Sequence, residues 1–95
     1  MEVQLRRYLI KEGRLDQFIT EWKAGVVPLR EKFGFTLLGA WSLPESSEFV
    51  WVIGYEGDFD DADRVYYESD DRKRLMPNPA VHIDETHHSV AEIVL

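Results

Sequence analysis

The segment Phe49 to Tyr55, FVWVIGY, constrains this chain more than any other. Its β-branched and aromatic residues predict a strand. Alternation places Phe49, Trp51, Ile53 and Tyr55 on one face and Val50 and Val52 on the other. A strand with one wet face alternates apolar with polar, and this one does not. Phe35, Leu37 and Trp41 opposing Leu38 and Ala40 give a second strand of the same kind, and Val90 and Val94 opposing Ala91, Ile93 and Leu95 a third. The sheet is therefore expected to be covered front and back.

The rest of the chain supplies cover for one side. Val3 to Ile10 reads as a strand, broken by Gly13. From Arg14 the period changes: Leu15, Phe18, Ile19, Trp22 and Val26 recur at helical spacing. Gly25 and Pro28 are expected to loosen or kink that helix, with a further turn over Leu29 to Lys32 ending before Gly34. A strand from Phe35 to Leu43, the polar turn Glu45–Glu48 and the strand Phe49 to Tyr55 form a hairpin. Asp58 caps a second helix whose apolar face is Phe59, Ala62, Val65 and Tyr66. Asp60, Asp61 and Asp63 read as its acidic start and solvated face. Ser69 caps a short helix through Leu75, Pro77-Asn78-Pro79 forms a loop, and His87 to Leu95 is the last strand.

That order is βαββαβ, the ferredoxin-like α+β fold, with a four-stranded antiparallel sheet and two main helices on one face. Ninety-five residues form a single domain, residues 1–95. The bare face would expose several hundred Å² of apolar surface, more than monomers commonly tolerate. At about 25 cal/mol per Å² its burial is worth many kcal/mol before association costs. A homodimer through the open sheet face is the expected remedy.

Net charge −7 argues against a nucleic-acid partner and against an anionic membrane surface. The basic run Arg72-Lys73-Arg74 follows Asp70-Asp71 and reads as a helix C-terminus. With no cysteine there is no thiol chemistry or disulfide, which suits a reducing, cytoplasmic setting. No apolar run approaches the ~20 residues of a membrane span, and the N-terminus lacks the layout of a signal peptide.

Arg6 and Tyr8 share a strand face. Inside a cavity, Arg6 would hold a carboxylate or enolate oxygen and Tyr8 would exchange a proton. The plainer alternative pairs Arg6 with an acid and packs Tyr8 in the core. Trp41, Trp51 and Tyr55 are candidate lining for a planar ligand, with Trp22 a weaker one, although tryptophan at such spacing commonly belongs to the core. His82, His87 and His88 cluster with Asp84 and Glu85, but neighbouring strand residues diverge, so one of His87 and His88 faces inward. An inward imidazole, with His88 the candidate, would serve as a general base. The spacing matches no zinc signature, and no metal or cofactor is expected.

Leu5-Arg6-Arg7-Tyr8, Lys11-Glu12-Gly13-Arg14-Leu15-Asp16-Gln17-Phe18, Trp22 with Val27-Pro28-Leu29, Gly39-x-Trp41, Tyr55 and Ser69-Asp70-Asp71 together resemble the NIPSNAP family of the dimeric α/β-barrel group. The chain departs from the family at Trp51 and Gly54, where relatives often carry a charged or imidazole side chain. The resemblance implies the same fold and dimerisation. The wider group includes cofactor-free oxygenases that surround planar ligands with aromatics. It also includes haem-degrading members, whose axial histidine has no counterpart in the helices here. Two readings follow: a small-molecule-binding barrel acting as a cofactor-independent oxygenase or isomerase, or a non-catalytic binding module with a filled interior and Arg6 neutralised by a structural acid.

Overall fold

The computed structural model describes every residue, Met1–Leu95. Strands β1 (Glu2–Ile10), β2 (Thr36–Leu43), β3 (Glu48–Tyr55) and β4 (Ile83–Ala91) form one antiparallel sheet of order β2-β3-β1-β4. Helix α1 (Leu15–Glu21), a π-helical turn (Trp22–Val26) and α2 (Val27–Lys32) connect β1 to β2. Helices α3 (Phe59–Glu68) and α4 (Asp70–Lys73) and a 3₁₀ turn (Pro79–His82) connect β3 to β4. The βαββαβ order and the ferredoxin-like fold are as the sequence predicts.

The first helix survives its proline. Pro28 lacks an N–H and its ring would strike the carbonyl four residues back in a regular α-helix. The π turn relieves this: the Val27 N–H bonds to the Trp22 carbonyl, one residue beyond the α spacing. Helix α2 then closes at Gly34, whose φ of +88° suits glycine. Phe35 N–H donates to the Arg30 carbonyl and Gly34 N–H to that of Glu31, each at 3.0 Å, which satisfies the last turn. Asp58 accepts from Asp61 N–H, and Ser69 from Arg72 N–H, at 3.1 Å, so both predicted caps form.

Two parts of the sheet differ from expectation. Leu37 pairs with Ile53 but Gly39 with Val52, so Leu38 is an extra residue in a bulge. The bulge inverts the alternation beyond it. Trp41 pairs with Val50 on the face away from the helices, and its ring lies over Gly39. The last strand spans Ile83–Ala91 and not His87 to Leu95, because β1, its partner, offers pairing sites only from Val3 to Ile10. The outward side chains of β4 are then Glu85, His87 and Ser89, opposite Leu9, Arg7 and Leu5, and that edge is more polar than predicted.

The core lies between sheet and helices. Tyr8, Phe18, Trp22, Phe49 and Trp51 form one aromatic group with ring centroids 4.8–6.5 Å apart, mostly edge to face. Phe35, Phe59, Tyr66 and Tyr55 form a second at the other end. Gly25 leaves room for Leu75, whose Cδ1 lies 2.8 Å from where a Cβ would stand. No helix is long and apolar enough to cross a membrane.

Candidate functional site

The even-numbered residues of β1 face the helices, so Gln4, Arg6 and Tyr8 enter the layer where an unpaired charge is most costly. Arg6 is 1 % exposed. Its Nη2 donates to Asp63 Oδ2 and Gln4 Oε1, each at 3.1 Å. Asp63 also accepts from a second buried arginine: Arg30 Nη1 donates to its Oδ1 at 2.7 Å. Tyr67 Oη accepts from both cations, at 3.5 Å from Arg6 and 3.3 Å from Arg30. Burial by itself would lower the Arg6 guanidinium, but Asp63, aided by Tyr67 and Tyr8, outweighs it and holds the group above its ordinary value. Arg30 is also packed among rings, its guanidinium carbon 3.8 Å from the Tyr66 centroid and 4.6 Å from that of Phe35.

Beside this cluster the layer is hollow. A cavity of ≈ 260 Å³ opens between the helices, the 3₁₀ turn and the sheet. Nine of its fourteen lining residues are hydrophobic, and Tyr8, Arg30, Trp51, Tyr66, Arg72 and His88 bring the polar edge. This is the composition of an organic-ligand site, with a volume just below the roughly 300–1,000 Å³ usual for drug-sized ligands.

The sequence candidates divide three ways. Tyr8, Trp51 and His88 meet at the cavity, together with Trp22. Arg6 lies behind the wall, committed to Asp63. Trp41 and Tyr55 are elsewhere: the bulge turns Trp41, 57 % exposed, to the open face, and Tyr55 packs on Phe35 with ring centroids 5.0 Å apart. The three histidines diverge. His88 is opposite Arg6 on the inner face and His87 opposite Arg7 on the outer, while buried His82 meets Glu21, Nε2 to Oε1, at 3.1 Å.

Burial pushes the Tyr8 phenol up to about 12, against the opposing pull of Arg6, so it keeps its proton. His88 is pushed below the ordinary histidine value by partial burial and then by the Arg6 cation, with Asp63 opposing. It is neutral at pH 7 and able to accept a proton. Burial also raises Tyr66, against Arg30 and Arg72.

Arg30, Asp63, Tyr67 and Arg72 are absent from the sequence candidates. Asp63 is not on a solvated face: it stands four residues after Phe59 and three before Tyr66, on the buried stripe of α3. Arg30 stands four after Val26 on the same logic. Val65, expected on that stripe, is 45 % exposed.

The NIPSNAP family model matches residues 3–56. No curated protein matches the chain. A NIPSNAP domain protein from Burkholderia xenovorans superposes with a TM-score of 0.84 at 13% identity, covering 99% of this chain and 95% of its own. A NIPSNAP family protein from Agrobacterium tumefaciens gives 0.85 at 15% identity, covering 98% and 92%. An antibiotic biosynthesis monooxygenase gives 0.72 at 14% identity, with both chains covered in full.

Proposed function

The chain belongs to the NIPSNAP family, and from that premise we propose that it binds a small organic molecule in the cavity between helices and sheet and removes a proton from it. One observation carries the reading: Tyr8 and His88, on neighbouring strands of the same sheet face, line one cavity in complementary protonation states. His88 takes the proton. The electron pair stays on the ligand as an enolate or phenolate, whose oxygen accepts a hydrogen bond from Tyr8. Returning the proton to another carbon completes an isomerisation, and reaction of the same anion with molecular oxygen completes a cofactor-independent oxygenation. Trp22 and Trp51 supply a dry, flat wall for a planar ligand.

The second reading is a non-catalytic binding module, favoured by the neutralisation of Arg6 by Asp63. The two separate on solvent exchange. Phenols and cyclic 1,3-diketones are screened by ligand-dependent melting, and those that bind are followed by NMR for deuterium uptake from D₂O. Uptake is expected with wild type and lost by at least about 100-fold in His88→Gln, the lower range for a general base. Because the neutral imidazole is the reactive form, the rate rises with pH through a value below the ordinary 6.5 of histidine and levels above it. Binding without exchange leaves the module, and no binding removes the cavity from both readings.

We also infer that the open face pairs with a second copy. Trp41 and Leu43 are exposed there, and Leu5, Leu9, Val50 and Val52 are only half covered by their neighbours. A symmetric sheet-to-sheet contact would cover them.

A further inference from the structure

The wall of the cavity is one-sided in its chemistry. It presents Arg30, Arg72 and His88 and no aspartate or glutamate, in a chain whose net charge is −7. Asp63, which pairs with Arg30 from behind the wall, already divides its two oxygens between Arg6 and Arg30. One carboxylate thus faces two buried cations, and Arg72 makes no ion pair to balance a third. Arg72 lies over the rings of Tyr66 and Tyr67, at 5.9 and 5.2 Å.

The unpartnered groups are donors as well. Arg30 Nε and Trp22 Nε1 are buried without a hydrogen-bond partner, Trp51 and Arg72 come near the Tyr8 and Tyr66 hydroxyls without completing a full hydrogen bond, and all of these residues line the cavity. Orphaned buried donors are costly, and those around one void indicate the acceptor that would satisfy them. The void is mainly apolar, so that acceptor sits on a hydrophobic body and not on a bare inorganic anion.

We propose that the ligand is a single-ring organic carboxylate, its anionic head held by Arg72 and Arg30 and its ring against Trp22 and Trp51. The proposal rests on the cavity reading above and names its ligand class. Arg72 is the anchor because its guanidinium, unlike that of Arg30, has no carboxylate of its own.

The test uses the full chain and its indole N–H signals in ¹H–¹⁵N NMR. Trp22 and Trp51 line the cavity, and Trp41 on the opposite sheet face is an internal control. Benzoate is expected to shift the Trp22 and Trp51 signals saturably and leave Trp41 unmoved. Benzamide, the neutral isostere, and inorganic phosphate, the bare anion, should each bind at least about tenfold more weakly, as loss of a charge-assisted hydrogen bond requires. Arg72→Gln should weaken benzoate by a similar factor without changing benzamide, and Arg72→Lys should recover part of the loss. Benzamide or phosphate binding as tightly as benzoate, or Arg72→Gln leaving benzoate unchanged, overturns the carboxylate assignment and leaves the cavity reading standing. If neither ring compound moves the Trp22 and Trp51 signals, both fall.

Discussion

Arg6 and Arg7 are neighbours on one strand and meet opposite fates. Arg6 points into the helix–sheet layer, is 1 % exposed, and shares Asp63 with a second arginine. Arg7 points to the open face, where its Nη1 donates to Glu48 Oε2 at 2.6 Å and half of its side chain remains in water. The shorter contact is the weaker contributor. In water an ion pair exchanges one set of solvating partners for another, and the net is small. Inside the layer, removing a partner leaves a charge with nothing to replace it. What separates the two arginines is the cost of solitude, not the distance to an acid.

Three substitutions put that contrast to the test. Asp63→Ala should have the largest effect, because it strips the one carboxylate from two buried cations. The cost is expected near the low end of about 3–5 kcal/mol in urea unfolding, since Asp63 keeps some solvent contact. A loss below ~1 kcal/mol would mean that the interior is wetter than its burial indicates. Next, Trp41→Glu places a charge on the open face, on its edge strand β2. If a second copy covers that face, sedimentation should show dimer association weakened by at least ~2 kcal/mol, and an unchanged assembly would remove this face as the interface. The smallest effect belongs to Arg7→Gln. In dilute solution, where the face is wet, it should cost no more than ~1 kcal/mol, and a larger loss would equate the two arginines.

Much of the fold was legible because it is written in periods. Leu15, Phe18, Trp22 and Val26 mark a helix, and FVWVIGY marks a strand, before any contact is known. The hairpin also carried its own signals, although its turn is fastened by a contact no local pattern shows: Ser47 Oγ donates to the Ile10 carbonyl at 2.9 Å. The site was half legible. Strand parity put Arg6 and Tyr8 on one face and His87 and His88 on opposite faces, but the choice of His88 as the inward one needed its register opposite Arg6. Trp41 could not be placed, because one extra residue at Leu38 inverts parity and leaves no mark in composition. Asp63 was obscured by Asp58, Asp60 and Asp61 around it, although its spacing from Phe59 and Tyr66 pointed inward. The limits of β4 depend on β1, a partner some eighty residues away in sequence, and its own residues, Asp-Glu-Thr-His-His-Ser, carry little strand signal.

The wide turn at Trp22–Val26 has a consequence for how this chain tolerates insertions and deletions. It accommodates one residue more than regular winding would, so everything downstream is set by that surplus. Rewinding this turn at 3.6 residues per turn with no residue removed would rotate Arg30 by about 100° about the axis. Asp63 would lose one of its two cations and the hollow part of its rim. Loss of one residue inside the turn would instead let regular winding resume with Val27 N–H still on the Trp22 carbonyl. Arg30 then keeps its bearing, and a deletion is better tolerated here than elsewhere in the helix.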